Sequence, residues 1–197
     1  MKTAALLLAA GASSRFGSPK QLAVYRGKTL LEWAIEHATK AGCFPVLVVT
    51  GKYASETEPI ARKMGAATLH NPSWNWKRGM QLSVFYGLNE LLDAPDWEST
   101  FLLPIDLPWF TENHYLDFIE AKSLAQKQNS AIKQQDVQVV IDYPEGPGTP
   151  ALLSRKFVDE ADKLQLRKSL TKHPDLILLP PGLHTKDVDY PADLPAD

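Results

Sequence analysis

What most constrains this chain is a repeated alternation of short, wholly apolar runs with longer stretches whose apolar residues recur at helical spacing. TAALLL (Thr3 to Leu8), PVLVVT (Pro45 to Thr50) and the run from Ser99 to Ile105 are apolar at successive positions, as strands covered on both faces must be. Between the first two, Leu30, Leu31, Trp33, Ala34, Ile35 and Ala38 repeat with helical period after Thr29, with Glu32 placed for a capping box and Gly42 for a C-terminal stop. Ser55 to Met64 reads as a second helix, in which Pro59 fits only the first turn. Gly79 to Leu92, Glu112 to Leu124 and Phe157 to Leu170 supply further helices, the last as one or two pieces; Ala66 to Leu69, Val137 to Ile141, Ala151 to Leu153 and Asp175 to Leu179 supply further strands. Alternation of this kind specifies an α/β sandwich on a mostly parallel sheet. DYPEGPGTP, Asp142 to Pro150, is expected to be a loop because Pro and Gly disfavour an element interior.

Length and composition narrow the function classes. The 197 residues suit one domain over positions 1–197. With 44% hydrophobic and 22% charged residues, disorder and a disulfide-rich miniprotein are excluded. No apolar stretch approaches the ~20 residues of a membrane span, and the N-terminus lacks a signal-peptide layout, so a soluble cytoplasmic protein is expected. A net charge of -2 without a basic run argues against nucleic acid or membrane partners and for small molecules. The lone Cys43 has no second thiol for a disulfide or zinc site and reads as a buried structural group. The five histidines show no metal-ligand spacing.

In an open parallel sheet, ligands bind beyond the carboxyl ends of the strands, which directs attention to the loop after Leu8. It reads LAAGASSRFGSPK. Gly11 and Gly17 allow unusual backbone angles, Ser13 and Ser14 add hydroxyls, and Arg15 and Lys20 add two fixed cations. Such a loop suits a polyphosphate: backbone N–H groups form an anion nest, Arg15 grips phosphate oxygens as a fork, and Lys20 acts as a point charge on a leaving group. It is neither a Walker loop, because Phe16 stands at the second glycine position, nor a G-x-G-x-x-G fingerprint, because no glycine lies between Gly11 and Gly17. A G-x-S-x-G elbow also fails.

LAAGASSRFGSPKQL resembles the LAAGxSxRMGxxKxL opening of the MobA-like nucleotidyltransferases, the family that includes the molybdenum-cofactor cytidylyl- and guanylyltransferases. Phe16 replaces the usual methionine. LLPIDLP resembles the family's metal motif, with Asp106 as ligand and Ile105 in the place of a glycine; DVDYPAD, Asp187 to Asp193, resembles DIDTPED and maps the second ligand to Asp189, with Asp187 as the other candidate and Tyr190 in the place of threonine. WKRGMQLSVFYGL, Trp76 to Leu88, resembles GMxxSLxxGL, so that Gly79 and Met80 at a helix start and Ser83 one turn in face the nucleotide, with Leu82 replacing a second serine. GPGTPALLSRKF resembles the region near the acceptor, which transfers Gly148 and Pro150. Trp74 and Trp76 are candidates for stacking on a ring.

The resemblance implies a three-layer sandwich of the nucleotide-diphospho-sugar transferase type, with a Rossmann-like sheet. It also implies nucleotide contacts from Leu8, Ala9, Ala10 and Gly11 onward through Ser13, Ser14, Arg15 and Lys20. The activity it implies is Mg2+-dependent transfer of a nucleoside monophosphate from a nucleoside triphosphate to a phosphorylated small-molecule acceptor, with Arg15, Lys20 and Asp106 catalytic. LAAG, as opposed to LAGG, resembles the cytidylyltransferase branch, implying CTP and molybdopterin. A sugar- or alditol-phosphate acceptor, a catalytically silent nucleotide-binding or chaperone-like protein, and an NAD-dependent oxidoreductase are the rival readings.

Overall fold

The computed structural model describes residues 1–75, 77–128 and 136–194. Strand β1 (Thr3–Leu8) is apolar after Thr3 because it is the centre of three layers: Ala5 and Leu7 enter one core cluster, Ala4 and Leu6 the other. On the first side lie α1 (Leu30–Lys40), α2 (Ala54–Lys63) and α4 (Glu112–Gln128); on the second lie α3 (Gly79–Asp93), α5 (Arg155–Glu160) and α6 (Leu166–Thr171). With β4 (Val46–Thr50), β5 (Ala67–His70), β6 (Ser99–Pro104), β7 (Gln138–Tyr143), β8 (Gly146–Ser154) and β9 (Leu176–Leu179), the seven-stranded sheet runs β5-β4-β1-β6-β8-β7-β9. Its ladders are parallel except the two that β8 makes with β6 and β7. This is the expected mostly parallel sandwich, and β1 ends at a switch point between β4 and β6, where loops on either side part to leave a crevice.

Helix α1 starts with the expected capping box: Thr29 Oγ1 accepts from Glu32 N, and Glu32 accepts from Thr29 N. It ends at Gly42, whose φ of +81° is the left-handed turn a glycine supplies, while Cys43 N donates to Ala38 O at 3.0 Å. Two expectations fail. Pro59 is the sixth residue of α2, not in its first turn; it and Ser55, whose carbonyl loses a donor, lie on the exposed face, where the carbonyl is open to solvent. Asp142 to Pro150 is not a loop but most of a β7–β8 hairpin. Gly146 to Pro150 extend beyond the last residue paired with β6, so their outer side needs no donors, and Pro150 sits at the register shift opposite Val140 and Ile141. A small hairpin of β2 (Val24–Tyr25) and β3 (Lys28–Thr29) turns through Arg26 and Gly27, both at positive φ.

Candidate active site

The loop after β1 is held by its own side chains. Ser13, at φ +52°, accepts at its carbonyl from Phe16 N and Gly17 N, at 3.0 and 3.2 Å, and buried Phe16 anchors the turn in the core. Gln21, 2% exposed, donates from Nε2 to the carbonyls of Ala9 and Gly11, both at 2.8 Å, and accepts from Ser13 Oγ at 3.1 Å. Ser13 Oγ also accepts from Lys20 N at 3.0 Å. The Ser13 hydroxyl therefore braces the loop and is not a free phosphate donor. Gly17, at φ +80°, needs to be glycine; Gly11 does not, having an ordinary backbone angle and open space where a Cβ would stand. Among the described residues the N–H groups of Gly11 through Arg15 donate to no other group, which leaves them to a ligand.

Lys20 reaches Asp106, which lies just beyond β6, with Nζ to Oδ2 at 2.6 Å, and lies 3.6 Å from Asp189 Oδ1. Arg15 pairs with the other oxygen of Asp189. The segment carrying Asp189 is laid along the β6 edge by a hydrogen bond from Val188 N to Asp106 O at 2.9 Å. Val188 is buried, so Asp187 and Asp189 share the opposite face of this extended segment, and both line the cleft. Burial pushes the Asp106 carboxyl above the usual range; the Lys20 ammonium pulls it down and Asp187 pushes it up again. Asp106 Oδ1 is buried without a hydrogen-bond partner. An unsatisfied carboxylate oxygen beside a second carboxylate fits a hard divalent cation, and no group of three or more His, Cys, Asp or Glu placed to hold an ion unaided occurs among the described residues. That donor set matches an ion completed by substrate phosphates.

The opposite wall is the start of α3. Gly79 is its first residue and packs so tightly that a Cβ would lie 2.2 Å from Trp74 O; a Cβ at Gly51 would lie 2.4 Å from Ala10 O. Buried Asn71 ties this wall together, donating to Ser83 Oγ at 2.8 Å and Gly79 O at 3.2 Å, while Ser83 Oγ donates to Gly79 O at 3.0 Å. The hydroxyl of Ser83 is thus engaged within the protein. Met80, beside Gly79 at the helix start, borders the cleft with a side chain that is 74% exposed.

Leu8 to Gly11, Ser13 to Arg15, Lys20, Gly79, Met80, Ser83, Asp106, Asp187 and Asp189 all border one cleft of about 270 Å³, together with Trp74. Gly148 and Pro150 do not: they lie in β8, where the ring of Tyr143 packs within 2.8 Å of the place a Gly148 Cβ would take. Trp76 lies outside the described residues. Gln21, Asn71 and Gly51 were missed by sequence reasoning. Only the spacing of Gln21 from Lys20 in SPKQL signals the first of them.

Residues 5–176 match the family model described as MobA-like NTP transferase domain. The chain belongs to that family. Among curated relatives, this MobA-like NTP transferase domain is 50% identical over 83 residues to nicotine blue oxidoreductase of Paenarthrobacter nicotinovorans, covering 42% of this chain and 40% of that protein. It is 40% identical over 62 residues to the bifunctional protein GlmU of Caulobacter vibrioides, covering 30% and 13%. The chain thus spans well under two thirds of the length of either relative. Among solved structures, a nucleotidyl transferase from Methanothermobacter superposes with a TM-score of 0.72 at 17% identity, covering 98% of this chain and 94% of that one. Rv0371c from Mycobacterium tuberculosis gives 0.69 at 22%, covering 98% and 96%. These likenesses establish the nucleotide-diphospho-sugar transferase type of fold for the MobA-like domain, and no helix among its described residues is long and apolar enough to cross a membrane.

Proposed function

We propose that the protein transfers a nucleoside monophosphate from a nucleoside triphosphate, with CTP the first candidate, to a phosphorylated small molecule, with molybdopterin the acceptor implied by the opening motif. The observation that carries this reading is the convergence of Arg15, Lys20, Asp106 and Asp189 beyond the end of β1. In the step envisaged, an oxygen of the acceptor phosphate bonds to the α-phosphorus, the bond from that phosphorus to the bridging oxygen breaks, and the electron pair leaves with pyrophosphate. The free N–H groups of Gly11 to Arg15 bind the phosphate chain, and Arg15 and Lys20 swing from their carboxylates to offset charge on the leaving group. Asp106 and Asp189 would hold Mg2+, which supplies charge neutralisation and orientation of the phosphates. The solved complex of Rv0371c with manganese and that of a CMP-KDO synthetase with CTP are in keeping with this reading.

The test is a pyrophosphate-release screen of the four ribonucleoside triphosphates with Mg2+, against molybdopterin and a panel of sugar and alditol phosphates. Release with CTP and molybdopterin is expected; no release with any pair would sink transfer. The 50% identity to nicotine blue oxidoreductase favours one second reading, in which the same cleft holds a reduced nicotinamide dinucleotide. Oxidation of NADH or NADPH by a dye acceptor, without pyrophosphate release, would establish that reading instead.

A further inference from the structure

A second concavity, of about 560 Å³, opens beside the first, and the side chain of Met80 borders both. Val84 lines it from α3, Leu164 from the turn before α6 and Leu166 from the first position of α6. Around these apolar groups stand Lys163, Arg167, Lys168 and Lys172, opposed by one lining carboxylate, Glu145. In a chain of net charge -2, four cations about one opening invert the local charge. Arg167 donates to Gly146 O at 3.0 Å, fastening α6 to the tip of the β7–β8 hairpin and giving the pocket a built edge. Lys163 and Lys172 enter no ion pair among the described residues, so their charges are uncommitted.

An apolar lining with a cationic rim selects a compound that has a ring-like body and at least one phosphate. We infer that this pocket takes such a compound, the acceptor of the proposed transfer, with its body on Val84, Leu164 and Leu166 and its anionic group first held by the cationic rim, from which it swings past Met80 toward the first cleft. The inference rests on the nucleotidyl-transfer reading and deepens it. It moves the acceptor from Gly148 and Pro150, which line neither concavity, to the face between α3 and α6. Met80 suits a shared wall, since an exposed thioether chain with three rotatable bonds adapts to whichever ligand is present.

The probe is 4-methylumbelliferyl phosphate, an aromatic phosphomonoester followed by its fluorescence, with 4-methylumbelliferone and inorganic phosphate as controls. Saturable binding is expected, weaker for both controls, and retained when CTP and Mg2+ saturate the first cleft. The double variant K168E/K172E changes two exposed side chains and should weaken probe binding by about tenfold or more, on the scale of lost charge-assisted contacts. Its melting shift with CTP and Mg2+ should equal that of the parent. No saturable binding at millimolar probe, displacement of the probe by CTP, or unchanged affinity in K168E/K172E would each overturn the assignment. Probe binding that needs the two lysines in a protein that CTP does not stabilise would keep the pocket and defeat nucleotidyl transfer.

Discussion

Lys20 touches two carboxylates at once, so removing it has two separable effects. Lys20→Ala should raise the barrier to pyrophosphate release by roughly 2–4 kcal/mol, the scale of a lost preorganised charge contact. It should also lower stability to urea by roughly 1–3 kcal/mol, because Asp106 and Lys20 are only 16% and 14% exposed and the carboxylate is left without its cation. Arg15→Ala separates the two: its side chain is 63% exposed, so stability should change by under about 1 kcal/mol while turnover still falls. Equal effects of both variants on urea stability would contradict this contrast. A third residue speaks through pH. Lys122, 1% exposed and donating to Ser99 Oγ at 2.8 Å, is pulled down to about 8 by burial, with Glu98 and Asp136 opposing. Between about 8 and the usual 10.5 the unfolded chain carries a proton that the folded one has lost, so Lys122 contributes a rise of stability with pH in that window, against the fall contributed above pH 9.0 by Cys43, whose thiol burial pushes up to about 12. Lys122→Met should remove that rise and raise stability at pH 7, by roughly 3 kcal/mol at most; denaturation midpoints from pH 7 to 10.5 check it, and an unchanged slope would refute it. That Arg15, Lys20, Asp106 and Asp189 meet in one cleft was legible in the sequence because each follows a strand end in a short recognisable motif. Gln21 and Asn71 were not, since an amide's role depends on which carbonyl tertiary packing brings to it.

At the level of elements, α3 is placed by contact and not by propensity. A Cβ on Gly79 would stand 2.2 Å from the carbonyl oxygen of Trp74 and one on Gly87 2.5 Å from Leu6 Cδ1, so the helix is pressed on backbone at its start and on side chains of the sheet at its middle. Gly79→Ala should destabilise by more than about 2 kcal/mol and weaken triphosphate binding as the α3 start backs away from the loop after β1. Calorimetry with and without CTP and Mg2+ checks both, and an unperturbed variant would show that the wall yields. Capping at α1 was readable because Thr29, Glu32 and Gly42 lie within one local pattern. The β7–β8 hairpin was not, because the acceptability of Pro147 and Pro150 depends on where β6 stops, a fact that is nonlocal. The Arg26-Gly27 turn was legible in principle, X-Gly between short β-formers being a known hairpin signal.

Over the whole molecule, the order of buried runs was enough to read a mostly parallel sheet; the reversed direction of β8 was not, since direction leaves no mark on composition. A ligand that binds only the folded chain raises stability by about 2.7 kcal/mol at a hundredfold excess over its dissociation constant. With Mg2+ present, CTP should therefore raise Tm more than GTP does, and without the ion neither should; a larger shift with GTP would reverse the base preference. Because β7 runs parallel to β9 and β8 returns antiparallel to both β7 and β6, the tip of this hairpin stands at the same edge of the sheet as the loop after β1. The two connections that stand at this edge are therefore of unlike construction. One is a single loop braced by the turn at Ser13, by buried Phe16 and by the Gln21 amide. The other can be lengthened or shortened by a rung at a time, about 3.4 Å along each strand, with the ladder below undisturbed. It works as a graduated arm, whose reach beside the second concavity, bordered by Glu145 at its tip, can be set without disturbing the loop after β1.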